Sequence, residues 1–290
     1  MFKKKYISLV AGLREYSLET DSKGLDLGAL LEEVYGELAE SDAESVRLLY
    51  GLYDCENICA AYNGRSNHNP LGRLSREQVE AAAKGESNFI DENIAEAIES
   101  LPKQVQEMLA DWSMAQSQME MSFDKALFGA YYEACEASKS NFIREWSVAD
   151  RNLRNVAAAL TARATGRAIE QVVVGEGGVV EQLKRSSAAD FGLRGELSYI
   201  DTVISAVSEE QNIVEKERKI DAVRWEIAEE LAEGEYFSAD CVLAYLAKVN
   251  IVARWMVLSP EVGREMFAKL MEDLSGKRVR DGGVKLVSEE

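Results

Sequence analysis

Pro102 and Pro260 bracket a long stretch with no proline, and Pro70 is the only other one in 290 residues. Proline breaks helices because it lacks an N–H and its ring clashes with the preceding turn. A chain this free of it can run long helices almost anywhere. Ala, Glu and Leu abound, and few runs alternate apolar with polar residues as half-buried strands do. The expectation is an all-α fold. Hydrophobic residues make up 47% of the chain, enough for a sizeable core.

The N-terminus gives the one hint of a strand. Three lysines precede Tyr6 to Leu13, but the apolar run is short, and Arg14 and Glu15 follow without a cleavage pattern. A short strand or a buried first segment is expected there. No stretch reaches the ~18 uncharged apolar residues that span a bilayer, so no direct membrane span is expected.

Helix boundaries can be read from caps. Ser41 to Glu44 and Ser75 to Gln78 both have the capping-box pattern, the second opening a short helix that ends near Gly85. After Pro102 the sequence predicts one long helix or two nearly continuous ones, then another from about Asn141 to Ala164, broken at Gly166. Glycines at 175, 177 and 178 punctuate the next region. The helical pattern resumes after it, with an interruption near Ser208. Two last helices are expected, Ser238 to Leu258 and Ser259 to Leu274, with Pro260 in the first turn of the second.

The charge balance is 51 acidic against 33 basic residues, net −18. Such a surface repels phosphate backbones, so no nucleic-acid partner is expected. Cys55, Cys59, Cys135 and Cys241 form no CxxC pair, and His68 is the only histidine. No metal site is expected, and the thiols read as buried and free in a reducing cytosol. His68 reads as a solvent-exposed loop residue. The Gly175–Gly178 segment matches neither a phosphate loop nor a dinucleotide loop and reads as a plain turn. There is no Asp-Asp pair and no GxSxG elbow. Neighbouring Glu and Lys residues read as solvated helix faces. No catalytic residue and no cofactor is assigned. Met114, Met119 and Met121 read as core filler, and Trp112, Trp146, Trp225 and Trp255 as structural anchors.

One internal echo stands out. Asn57-Ile58 is followed by Tyr62 and Arg65, and Asn155-Val156 by Leu160 and Arg163, at the same spacing. Positions 58, 62 and 65 share one face of a helix, and the arginine would close that face near the helix end. A glycine turn and a short helix follow each copy. The echo proposes repeated helical modules.

The segment from Ser238 to Leu258 is apolar almost all round a helix, the signature of a core helix, yet contains Lys248 and Arg254. Either acidic residues of the preceding helix, Glu229, Glu230, Glu233 and Glu235, neutralise the two cations, or the cations line a groove facing a partner.

The last fifty-odd residues carry a family likeness. Phe237, Tyr245, Leu246, Lys248, Arg254-Trp255, Gly263 and Phe267, with Lys219–Leu231 and Leu52–Ile58 upstream, resemble a group of bacterial proteins encoded beside V-type ATPase subunits. That group is similar in turn to the V-type ATPase stalk component called C in prokaryotes and d in eukaryotes. The larger family repeats a helix with Asp-x-x-Asn-Ile and a distal Arg in three modules. Asp54, Asn57, Ile58 and Arg65 match the first copy, Asn155 and Arg163 the second, and the Tyr245 helix the third. Asn152 and Val156 replace the Asp and the Ile of the second copy.

The resemblance implies pseudo-repeated helical modules, three-fold in their fullest form, over 1–100, 101–207 and 208–275. A flexible tail would cover 276–290, and the modules could equally form one continuous domain. It implies a non-catalytic central-stalk subunit that is cytoplasmic and peripheral to the inner membrane. Its partners would be the V-type ATPase rotor ring and central shaft, with Arg65, Arg163, Lys248 and Arg254 as partner-binding candidates. Asn57, Tyr62, Asn155, Leu160 and Tyr245 would be the repeated structural positions. The alternative is a free-standing acidic helical adaptor or regulator.

Overall fold

A computed structural model describes residues 5–18, 24–85, 91–115 and 121–257. Among them there is no strand, and the chain is all-α. Twelve helices follow one another: α1 (Ile7–Gly12), α2 (Leu27–Glu37), α3 (Glu40–Tyr62), α4 (Arg76–Lys84), α5 (Glu92–Glu99) and α6 (Lys103–Ala115). Then come α7 (Phe123–Glu136), α8 (Asn141–Thr165), α9 (Gly178–Arg185), α10 (Ile200–Ile204), α11 (Ile213–Leu231) and α12 (Ala239–Val257).

The caps act where the sequence places most of them. Ser75 and Gln78 close a full capping box on α4, which ends on Gly85 in the left-handed conformation. Ser140 caps α8, and Gly166, also left-handed, ends it. Ser41 does not cap: α3 already starts at Glu40, and Ala39 at its N-cap makes no side-chain bond. The Ala39 N–H instead donates to the Tyr6 hydroxyl (3.1 Å), which itself donates to Asp42. This first segment forms a short helix rather than a strand, and the Tyr6 N–H donates to the Phe237 carbonyl (2.7 Å).

The stretch after Pro102 is not one continuous helix. α6 and α7 pack on each other, with Trp112 edge-on to Phe123 and Phe123 stacked on Tyr62 at 3.8 Å. Ser122 caps the second helix and restarts the chain there. Near Ser208 the helix changes to a π turn over Ser205–Glu209, and α11 begins after Asn212 caps it. The expected helix from Ser259 lies outside the described residues.

α8 is the hub: it packs against α3, α7, α9, α10, α11 and α12. One apolar cluster runs from Tyr6 to Ala247 and joins all of these elements. A small second cluster holds Trp225, Ile251 and Val252. Trp112, Trp146 and Trp225 are buried as anchors. Met114 and Met121 are not core filler: 83% and 51% of their surface is exposed. Met119 lies outside the described residues. Cys55, Cys59 and Cys135 are buried free thiols, and Cys241 is half-buried. Burial pushes the Cys135 thiol up to about 12, so it is inert at neutral pH. No described helix is long and apolar enough to cross a membrane.

Candidate functional site

The two asparagines of the sequence echo do the same job. An asparagine carboxamide offers one acceptor and two donor hydrogens, enough to hold the N–H and the C=O of a single residue. Asn57 on α3 donates to the Asn69 carbonyl (3.0 Å) and accepts from the Asn69 N–H (2.6 Å). Asn155 on α8 donates to the Val174 carbonyl and accepts from the Val174 N–H, both at 2.8 Å. Each side chain is buried and binds the chain returning from the end of its own helix. A residue exposes its N–H and C=O on one side only when extended. Asn69 is pushed that way by Pro70, which disfavours helical geometry in the residue before it.

Asp54, one turn before Asn57, adds a second grip. The N–H groups of Arg73 and Leu74 donate to its Oδ1 at 2.6 and 3.0 Å, and Arg73 Nε donates to Oδ2 at 3.1 Å. The Asp-x-x-Asn spacing therefore places both side chains on the face that meets the returning loop. Gly72 lies under them. A methyl there would fall 3.1 Å from Asp54 Oδ1 and far inside contact distance of Asn57 Nδ2.

A relay of alternating charge crosses the centre of the molecule. Glu56 on α3 accepts from Arg154 Nη2 (3.0 Å), and Arg154 Nε donates to Asp150 (2.8 Å), both on α8. Asp150 also accepts from Arg224 Nε (3.1 Å), and Arg224 Nη1 donates to Asp221 (2.9 Å). Asp221 accepts two bonds from Arg254 Nη1, at 2.9 and 2.8 Å, and Arg254 Nη2 continues to Glu217. Trp255 Nε1 donates to Asp221 (3.0 Å), and the Tyr132 hydroxyl to Asp150 (3.2 Å). Four carboxylates and three guanidiniums thus tie α3, α8, α11 and α12 together.

The relay lines a cavity of about 310 Å³ between these four helices. Burial alone would raise Asp150, but Arg154 and Arg224 outweigh it and hold its carboxyl below the usual range. The Asp150 contribution to stability is complete above the unfolded value and is lost as pH falls through the lowered folded one. Wild-type thermal midpoints should therefore drop below about pH 4 more steeply than those of Asp150→Asn. Parallel pH profiles would contradict this.

A second, open groove of about 770 Å³ lies between α7, α8 and the loop to Val174. It carries Lys125, Arg151, Arg154 and Arg167 against Asp124 and Glu170, a local positive excess on an acidic chain. Among the described residues, no group of three or more His, Cys, Asp or Glu side chains is placed to hold a metal ion.

A family model described as "Protein of unknown function (DUF2764)" matches residues 3–277. The chain belongs to that family. No curated protein and no solved structure matches it. In this member of the DUF2764 family, the match takes in both asparagine clamps, the whole relay and twenty residues beyond the end of α12.

The four cations named as partner-binding candidates lie in different settings. Arg163 donates to the carbonyls of Ser186 and Ala188 (the latter at 2.6 Å) and covers the Phe191 ring at 3.6 Å. Arg254 belongs to the relay. Lys248 pairs with Glu229 at 3.2 Å and lies over Trp225 at 5.0 Å. Arg65 is exposed, with no ion pair among the described residues. It does not close a helix face, because α3 ends at Tyr62 and the chain turns at the left-handed Gly64.

Tyr62 and Leu160 are packing positions, and Tyr245 is half-buried against Tyr16. His68 is half-buried rather than fully exposed. Its pKa is lowered by burial and by Arg76.

Lys248→Met keeps the apolar stem over Trp225 and removes only a half-exposed ion pair. The expected loss is below about 1 kcal/mol in urea unfolding. A loss above about 3 kcal/mol would make Lys248 a buried counter-ion instead.

Proposed function

We propose that this chain is a non-catalytic, rotor-linking subunit of the central stalk of a V-type ATPase, coupling the membrane rotor ring to the central shaft. The observation that carries the reading is the relay. A part that transmits torque must keep its long helices from sliding past one another, and an alternating chain of ion pairs across four helices, centred on the buried Asp150 and Asp221, resists that sliding. Ion pairs buried in a low-dielectric interior also fix one register, because a shift would leave charges unpaired. The titratable groups of the relay neutralise one another, whereas catalytic groups are usually left poised for proton transfer. The likeness of the Tyr245 helix to the final helix of the C/d-type stalk component supplies the identity of the assembly. The acidic surface suits docking on basic ends of shaft or ring subunits.

The test is affinity isolation of the intact ATPase from cells that carry a tagged copy of this chain. The stalk reading expects ring and shaft subunits to co-purify with the tag. Absence of the chain from an intact, active complex would overturn it. A second reading, a free-standing acidic adaptor, is favoured by one observation: Arg163, Lys248 and Arg254 are engaged internally and offer a partner little free charge. Gene neighbourhood separates the two, since ATPase genes on both sides support the stalk reading.

A further inference from the structure

The open groove of about 770 Å³ between α7, α8 and the loop to Val174 collects cations that no carboxylate neutralises. With 51 acidic residues against 33 basic, a cation on this chain has carboxylates to spare. Lys125 and Arg167 nevertheless pair with none among the described residues. Lys125 Nζ donates to the Glu170 carbonyl (2.8 Å), which anchors the ammonium without cancelling its charge. Arg167 is exposed, and its guanidinium makes no hydrogen bond among the described residues.

Two further guanidiniums come from α8. Arg154 uses Nε and Nη2 on Asp150 and Glu56, and its Nη1 makes no hydrogen bond among the described residues. Arg151 gives Nη1 to Glu136 (2.6 Å) and lies over the Tyr132 ring at 5.7 Å. Its Nε is buried without a partner among the described residues. Gly175 packs against it, and a methyl there would lie 3.0 Å from Nη1. The Arg151 side chain is only 12% exposed, so its charge is held in place before any ligand arrives. Phe128, Ala158, Val172 and Val174 supply an apolar part of the same lining.

We propose that this groove binds a small amphipathic anion, with one carboxylate or phosphate head taken by Lys125 and Arg167 and an aromatic or aliphatic body laid on the apolar lining.

The size is that of a small-molecule site, and the mixture of apolar walls with a few polar groups is the usual composition of one. Ammonium and guanidinium donors make charge-assisted bonds to carboxylate or phosphate oxygens, which are stronger than neutral ones. The wall is built in advance: Asn155 holds both main-chain groups of Val174. A single head also fits better than an acidic chain. Asp124 and Glu170 belong to the same lining and would meet the further carboxylates of an acidic peptide. The net charge of −18 repels nucleic acid and acidic lipid surfaces before they reach the groove. The inference rests on the groove alone and does not depend on what the chain assembles with.

Calorimetric and amide-shift titrations of the full chain test it, with naphthyl phosphate and naphthoate as the anionic probes. Naphthol is the neutral counterpart, and inorganic phosphate is the head without a body. At least one anionic probe should bind with a Kd below about 0.5 mM, about 10-fold or more tighter than naphthol and than inorganic phosphate. The amides of Lys125, Val172 and Val174 should shift. Lys125→Gln combined with Arg167→Gln should weaken binding about 10-fold or more, whereas Lys103→Gln, whose pair with Glu107 is well exposed, should leave it unchanged. No binding of either anion would overturn the proposal, as would naphthol or inorganic phosphate binding equally well, or affinity unchanged in the double variant. Hexaglutamate binding more tightly than both probes would make the groove a protein-docking surface and would also overturn it. Should the double variant fail to fold, the wild-type preference for anion over naphthol and the position of the shifts decide the matter. Shifts confined to residues outside the groove would defeat the proposal.

Discussion

Asp150→Ala is expected to lower folding stability by about 3–5 kcal/mol, the largest loss of any single truncation in the relay. Asp150 is 5% exposed and accepts from Arg154, Arg224 and the Tyr132 hydroxyl. Truncation leaves two guanidiniums side by side, Arg224 mostly buried and Arg154 about a third exposed, with their common buried counter-charge gone. Arg154 keeps Glu56 and Arg224 keeps Asp221, so the relay would split into two halves that repel across the gap. Urea unfolding of the full chain measures the effect. Glu107→Ala is the control, because its pair with Lys103 is well exposed and contributes only about 0–1 kcal/mol. A loss under about 1 kcal/mol for Asp150→Ala would mean that water already screens the relay through the cavity.

The helices and their ends are largely legible in the sequence because local chemistry sets them. Ser75 with Gln78, and Gly85 and Gly166 past two helix ends, are signals that act within four residues. The Asn57–Asn155 echo is legible for a related reason: a clamp on backbone needs a carboxamide, so the residue type recurs. Its purpose is hidden, since the bonds reach to Asn69 and Val174, at different distances along the chain.

The relay is the part that the sequence conceals. Its charges are scattered from Glu56 to Arg254 and look like those of any solvated helix face. One signal is present. Asp150 lies between Trp146 and Leu153, four before and three after, on the face that the apolar pattern assigns to the core. The partner of Lys248 is expected among the glutamates that precede α12, and Glu229 is that partner. Arg254 is expected to use the same group but pairs with Asp221 and Glu217. α11 and α12 run antiparallel, so moving six residues forward on one helix moves the partner back by about two turns on the other.

Gly72→Ala is expected to cost about 2–4 kcal/mol, although it adds a single methyl to a loop. Gly72 has no unusual φ, so backbone strain is not the reason. The obstacle is what lies above it. The new methyl would overlap Asn57 Nδ2 and press on Asp54 Oδ1, and both side chains are buried and fully used in holding residues 69, 73 and 74. Neither can swing aside without abandoning the loop, so the substitution either opens the clamp or strips its hydrogen bonds. The double variant Gly72→Ala with Asn57→Ala separates the two causes. If steric overlap with the carboxamide dominates, adding Asn57→Ala to Gly72→Ala should cost less than Asn57→Ala costs in the wild type, because the clash is relieved as the clamp is lost. Strict additivity, or a Gly72→Ala loss below about 1 kcal/mol, would show that the loop yields freely and that the Asp54–Asn57 grip is not what holds it in place.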